Sequence, residues 1–520
     1  MKKIILTILF VLLSQNIFAY ADNENDESRL IVLNVYLPDG KGSYIFTPTA
    51  YTSTDNGLNW VSHEIAGAVG IISALSCAGD KHQNCTAVGY LNEHIGKNYI
   101  GTLISYNSKN GGITWTPNVF AKHSDGGVHI TGANLTDIDC HDKLGQNCVA
   151  VGNIAKAGST PIIYTTIDSG ANWLPHYLTE PNYPGKSFGV TLRAISCSGE
   201  NNQYCTAVGE FIKAHVPRDG KLNSTVFVSY TSSDSGANWA SHIIEERPEQ
   251  GSLLKSISCN GNKGQHCIAV GQGESSIPVN EFTERGIIYT SNDGGITWRP
   301  YVPYIDGLTS TLNTITCSGL NDQYCVAIGS MRGRDHNGRD LHIRSRIPSD
   351  LKGYEDSYIY IDRSSFLFYV EKNRNLTSVS IRNITKFMKE LDDLNKNKTD
   401  TLHLSVMQVF NLIIYNSTPS HNLYPSFTTV YTTTNGGVDW KLSTQATLYK
   451  ALTCSGDNNK YCSAIGIYYL TSAYPGGTAV VYRSNDGGNT WENTARFPTR
   501  QGSLEPYKVN ENFLNINSTK

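Results

Sequence analysis

The stretch YTSNDGGITW at residues 289–298 is written seven times in this chain with small changes. The other copies are YTSTDNGLNW (51–60), YNSKNGGITW (106–115), YTTIDSGANW (164–173), YTSSDSGANW (230–239), YTTTNGGVDW (431–440) and YRSNDGGNTW (482–491). All seven tryptophans of the protein, Trp60, Trp115, Trp173, Trp239, Trp298, Trp440 and Trp491, end these copies. A residue type used nowhere else is a structural specification. The motif has the chemistry of a tight turn: an Asp or Asn side chain accepts hydrogen bonds from turn amides, Gly supplies a positive φ, and Trp brings apolar area. The acidic position is Asp55, Asp168, Asp234, Asp293 and Asp486, but Asn110 and Asn435 in two copies. The turn therefore needs an acceptor rather than a negative charge. A catalytic acid does not recur seven times and change to an amide.

Working outward, six of the copies are preceded by a cysteine pair: Cys77/Cys85, Cys140/Cys148, Cys197/Cys205, Cys259/Cys267, Cys317/Cys325 and Cys454/Cys462. Each pair has seven residues between its members and together they use all twelve cysteines. Zinc sites bring two close pairs, or a pair and histidines, to one point. Here single pairs recur tens of residues apart, so the spacing predicts six local disulfides and an oxidising compartment. No metal or cofactor is expected.

One unit emerges: an apolar strand ending in Cys, a polar loop, a second strand reading CxAVG, a variable connector, a third strand running into the turn motif, and a fourth strand after Trp. Several short strands repeated every 40–65 residues or so predict an all-β propeller with one four-stranded blade per unit. Six units are complete. RLIVLNVYL (29–37) and SYIFTPTAY (43–51) supply strands of a seventh blade, which a C-terminal strand near residues 512–516 is expected to complete, removing the sheet edges. The reading is seven blades, with six as the alternative.

The turn motif, S/T-x-D-x-G-x-x-W, resembles the Asp-box or BNR repeat of sialidases, sortilin-like receptors and photosystem II assembly factors. The resemblance implies a propeller in which the boxes join strands three and four on the rim away from the usual ligand face. Sialidases further use three arginines, a tyrosine nucleophile with a glutamate partner, and an aspartate acid/base, the first arginine lying in Arg-Ile-Pro before the first box. Arg346-Ile347-Pro348 has those letters but follows five boxes, so the sialidase catalytic pattern is not matched.

The chain opens MKKIILTILFVLLSQNIFAYA, two lysines, an apolar run and a small-x-small site, which predicts a bacterial-style signal peptide over 1–21 and a propeller over 22–517. The run is too short for an ordinary membrane span and nothing later replaces it. Export to the periplasm or beyond the cell follows. With 17% charged residues and a net charge of −3, no basic surface points to nucleic acid or anionic membrane. A monomer is expected.

Variable connectors on a rigid scaffold are where binding resides. The largest lies in the sixth unit, where residues 331–425 form an insertion expected to be a small α+β subdomain with a short helix near 384–394. It holds a basic start, including Arg332, Arg334, Arg344 and Arg346, and aromatic strand-like runs, including Tyr358 and Tyr360. These six are the candidate binding residues, in a lid or docking element or in a decoration packed on its own scaffold. Nothing in the chain matches a GxSxG elbow, HExxH, a phosphate loop or an EF-loop. The expected function is a glycan- or protein-binding module; the alternative is an exported glycoside hydrolase, for which the sequence names no catalytic residue.

Overall fold

In the computed structural model of the chain, the residues described are 17–18, 29–38, 44–54, 59–65, 70–78, 83–95, 98–123, 132–140, 142, 144–155, 159–179, 181, 183, 186–214, 223–247, 251–261, 263–274, 284–301, 308–319, 322–333, 345–346, 358–362, 367–372, 375–379, 426–445, 449–455, 457–468, 478–498 and 507–508. They form seven antiparallel blades and one separate four-stranded sheet. Blade 4 shows the pattern: Lys186–Ser198, Tyr204–Ala214, Ser224–Ser232 and Ala240–Arg247 pair in sequence order. The chain is an all-β, seven-bladed propeller.

Each blade is built from the same local physics. The two cysteines face one another across the hairpin of the first two strands, as in Cys197↔Cys205, with Cα atoms 4.1 Å apart. All six predicted disulfides form: Cys77–Cys85, Cys140–Cys148, Cys197–Cys205, Cys259–Cys267, Cys317–Cys325 and Cys454–Cys462. The second cysteine of every pair, Cys85, Cys148, Cys205, Cys267, Cys325 or Cys462, is buried. It stands on a strand paired on both sides, with a neighbouring blade packed over it, so it is a core residue and presents no surface for recognition. The glycine of CxAVG sits opposite a β-bulge in the first strand, and at Gly209 an added Cβ would lie 2.0 Å from the Thr191 carbonyl oxygen. Only glycine admits so close a backbone.

The boxes close the turn between strands three and four. In the third copy Thr166 Oγ1 donates to Asp168 Oδ1 at 2.8 Å, Asn172 N donates to the same oxygen at 2.8 Å, and Gly170 N donates to Thr166 Oγ1 at 3.0 Å. Trp173 Nε1 then donates to Gly170 O at 3.0 Å. At Asn110 and Asn435 the side-chain oxygen keeps that acceptor role, taking Thr114 N at 2.9 Å and Asp439 N at 3.0 Å. Asp55 lies outside the described residues. The boxes also reach the disulfide hairpin of their own blade, as where Gly294 N donates to Gln265 O at 2.9 Å. Boxes and hairpins thus share one face of the propeller, and the remaining connectors share the other.

The core lies between blades. Trp115 packs with Leu30 and Val32 of blade 1, and Trp173 with blade 2, so each box tryptophan is a wedge against the preceding blade. The ring closes in the same way, with Tyr51 and Trp60 of blade 1 buried against Ile465, Val481 and Ala495 of blade 7. Inner strands are also stitched by side chains: Cys140 N donates to Ser76 Oγ at 3.0 Å and Cys259 N to Ser196 Oγ at 2.9 Å. Between blades 3 and 4 two carboxylates do this work, Ile195 N donating to Asp137 Oδ2 and Cys197 N to Asp139 Oδ2. Burial is the main reason the Asp137 carboxyl is pushed up to about 7.

Two expectations meet the structure differently. The inner place of blade 1 is taken by Ile17–Phe18, paired Ile17↔Val32 and Phe18↔Ile31, from within the segment read as a leader. The last described strand, Tyr507–Lys508, is instead a fifth, outer strand of blade 7 beside Glu492–Pro498. Residues 512–516 lie outside the described residues. In the insertion, Ser345–Arg346, Tyr358–Asp362, Leu367–Lys372 and Asn375–Val379 form the separate sheet; the helix expected near 384–394 lies outside the described residues.

Candidate functional site

Two places on the described surface are candidates for a site. The first is on the connector face of blade 4, where the second and fourth strands end and the third begins. Tyr183 OH donates to Glu246 Oε2, Ser224 Oγ donates to Glu246 Oε1 at 2.8 Å, and Lys213 Nζ reaches both carboxylate oxygens at 3.1 Å. Lys213 Nζ also lies 5.0 Å from the centre of the Tyr183 ring. Beside them Tyr289 OH donates to Glu245, and Arg247 Nε lies 3.6 Å from the same carboxylate.

The electrostatics say what this cluster does. Burial alone would raise the Glu246 carboxyl, but hydrogen bonds from Tyr183, Ser224 and Lys213, with the lysine charge, bring it down to about 2. Its hydrogen bond to Glu246, then burial and the carboxylate's charge, push the Tyr183 phenol up to about 12. At neutral pH the glutamate is charged and the tyrosine protonated. A general acid needs a carboxyl that keeps its proton, and a nucleophilic tyrosine needs to lose one. The cluster is a braced hydrogen-bonding platform.

The second place is a trough of about 520 Å³ on the box face, between the boxes of blades 6 and 7. Trp440 lines it with Asn435, Asp439, Lys441, Asn458 and Asn489. Lys441 Nζ donates to Asn489 Oδ1 at 3.2 Å, tying the two blades across the mouth. Asn435 Nδ2 donates to Asp439 Oδ2 at 2.9 Å. The carboxylate thereby stands at the exposed rim instead of inside the turn. The volume falls in the range of small-ligand pockets, and the lining offers one indole, several amides, the carboxylates of Asp439 and Asp486 and the single ammonium of Lys441.

The sequence-predicted binding residues lie elsewhere. Arg332 is in the second strand of blade 6, opposite Ser426 and Thr309. Arg346 is brought directly opposite Tyr358 in the insertion sheet, and Tyr360 opposite Tyr369. Arg334 and Arg344 lie outside the described residues. Sequence reasoning missed Tyr183, Lys213, Ser224 and Glu246, which lie outside the repeated motifs and at unrelated spacings. Of the trough residues, Asn435 and Trp440 belong to the repeated motif, to which the sequence gives a structural role, while Lys441 and Asn458 fall outside it.

The model of the BNR/Asp-box repeat matches residues 289–300. The same hydrogen-bonded turn recurs in the other five described copies. The chain is an Asp-box repeat β-propeller. No curated protein matches this propeller significantly. Among solved structures it is similar to the α-L-arabinofuranosidase Arb93A of Fusarium graminearum, at 15% identity over 61% of this chain and 88% of that one, with a TM-score of 0.37. It is similar also to a GH74 enzyme of Niastella koreensis (13% identity, 92% and 65% covered, TM-score 0.35). A third is the NanB sialidase of Streptococcus pneumoniae (11% identity, 63% and 66% covered, TM-score 0.33). Likeness at these levels concerns the fold alone.

Proposed function

We propose that this Asp-box propeller is an exported, monomeric binding module for a glycan, taking a neutral saccharide in the trough between its sixth and seventh boxes. The single observation that carries the reading is the lining of that trough. Amide side chains can donate to and accept from vicinal hydroxyls, the carboxylates of Asp439 and Asp486 can accept from them, the part of the Trp440 indole that reaches the trough adds apolar wall, and two carboxylates against one lysine disfavour a strongly acidic ligand. Six disulfides support export to an oxidising compartment, periplasmic or extracellular. The insertion, with Arg332, Arg334, Arg344, Arg346, Tyr358 and Tyr360, is a second recognition surface on the connector face, for glycan or protein.

The glycoside hydrolase alternative calls for one carboxyl held protonated within reach of substrate. Glu210 is raised by burial despite Arg193 Nη2 at 2.7 Å, and Asp137 is raised as well, but both are buried in the blades. The test is to incubate the mature, oxidised protein with neutral and sialylated glycans, following binding by calorimetry and products by mass spectrometry. Saturable binding of a neutral glycan without product supports the module; a new product supports the hydrolase.

A further inference from the structure

In three blades the residue three places before the second cysteine plugs into the hairpin of the preceding blade. In blade 4 it is Asn202, whose Nδ2 donates to Asp139 O at 3.2 Å and Asn147 O at 2.8 Å. In blade 7 it is Asn459, whose Nδ2 donates to Thr316 O at 3.4 Å and Tyr324 O at 2.7 Å. The four acceptors are the carbonyls that precede the two cysteines of the preceding blade. Each plug has a positive φ, 56° in both, and its own carbonyl lies 3.3 Å from the following cysteine sulfur.

Blade 6 has Asp322 at this place. Its φ is 52°, its carbonyl lies 3.3 Å from Cys325 Sγ, and the residue is 1% exposed, so the backbone is the same plug. The carbonyls that correspond on blade 5 are those of Ser258 and His266. An amide donates to such a pair; a carboxylate has no hydrogen to give and meets oxygen with oxygen. Neither Asp322 oxygen has a well-formed hydrogen bond among the described residues. A buried, unpartnered carboxylate is costly, and a proton removes both faults by neutralising the group and supplying a donor.

We propose that Asp322 carries its proton at neutral pH and donates a hydrogen bond through it to a blade 5 carbonyl, so that the joint between blades 5 and 6 is a proton-dependent latch. Ionisation withdraws the donor and loosens the blade from which the insertion emerges. Burial pushes this carboxyl up to about 8, only partly offset by the Asn260 amide. The ionisable groups on the facing hairpin are Lys263, which is exposed, and His266, whose Nδ1 is engaged with Asn292 Oδ1 at 3.1 Å. On its own hairpin Tyr324 is the ionisable neighbour among the described residues. Because the folded value is raised above the ordinary 3.8, the stabilisation is complete at pH 4 and is lost as pH climbs through about 8.

The test compares wild type with Asp322→Asn, the residue the other two plugs use. The variant is expected to melt higher, with a gain that widens from pH 4 to pH 8 and then levels. The infrared difference spectrum, wild type minus variant at pH 6, should show a protonated-carboxyl band from Asp322, because the raised carboxyls of Asp137 and Glu210 are common to both and cancel. Hydrogen exchange in the 259–267 hairpin, corrected for intrinsic rates, should quicken above pH 8 in wild type only. An unchanged or lower melting temperature with no pH dependence in the difference, or absence of the band from the difference spectrum, overturns the proposal. So does a melting temperature raised by added calcium or sodium in wild type and not in the variant, since a metal ion would then occupy the proton's place.

Discussion

Asn435 and Asp439 hold the amide and the carboxylate of the sixth box in exchanged places: Asn435 Nδ2 donates to Asp439 Oδ2 at 2.9 Å, where in the third box Asn172 Nδ2 donates to Asp168 Oδ2 at 2.6 Å. The turn oxygen still accepts the backbone amide in both. A bond is conserved while its polarity is reversed, so Asn435→Asp alone sets two carboxylates against each other. At this exposed site the expected cost is on the order of 0.5–1 kcal/mol. The pair Asn435→Asp with Asp439→Asn should recover it in a double-mutant cycle by chemical denaturation; additive losses would deny the pairing.

The acidic boxes predict acid sensitivity. Burial would raise Asp168, Asp234, Asp293 and Asp486, but hydrogen bonds from the turn outweigh it and hold each below 3.8. Groups with depressed folded values stabilise fully above their unfolded value, and that stability is lost as pH falls below 3.8. The melting temperature should drop steeply there, and changing these four residues to Asn should flatten the drop. An identical acid profile for the variant would contradict the assignment.

The disulfides should act separately, because each closes a short loop within one blade. Replacing Cys197 and Cys205 by Ala is expected to cost about 2–3 kcal/mol. Reducing all six should lower the melting temperature far more than that one change. Six free dithiols in the protein purified without reductant would refute the pairing.

Much of this was legible because the repeat supplies its own controls. Seven tryptophans and six cysteine pairs of constant internal spacing specify the propeller, the hairpin register and the face the boxes share, and favour seven blades over six. Spacing alone did not reveal that one member of each pair, from Cys85 to Cys462, would be sealed in the core, since that depends on which strand lies inside the sheet. Ring closure was less legible. A two-residue strand such as Ile17–Phe18 has no periodicity to announce it, and its apolar character serves equally as the core of a leader. The Glu246 cluster was invisible for another reason: Tyr183, Lys213, Ser224 and Glu246 meet only after three strands pair. Asp322 was readable in principle as the acid in a place where two sister hairpins write Asn, but its meaning needs the facing carbonyls.

Closure yields its own prediction. Removing residues 1–21 takes Ile17–Phe18 from the inner place of blade 1, leaving Arg29–Pro38 with an open edge. If the C-terminal segment then fills it, deleting residues 509–520 should destabilise the leader-less protein and spare the full-length chain. Equal effects on both would place the closing strand elsewhere.

The backbone fit at the bulge is tested at Gly209. With the Thr191 carbonyl 2.0 Å from where a Cβ would stand, Gly209→Ala forces the inner strand apart and should cost about 1–3 kcal/mol in chemical denaturation. A neutral effect would mean that the strand yields freely.

The central claim is tested most directly by titrating neutral saccharides into the mature, oxidised protein while following Trp440, Asn435 and Asn489 by NMR. Saturable shifts confined to the sixth and seventh boxes, abolished by Asp439→Ala with Asn489→Ala and untouched by Tyr183→Phe, are the expected result. No shift at these residues with any neutral saccharide, or turnover of the saccharide into product, would contradict the account.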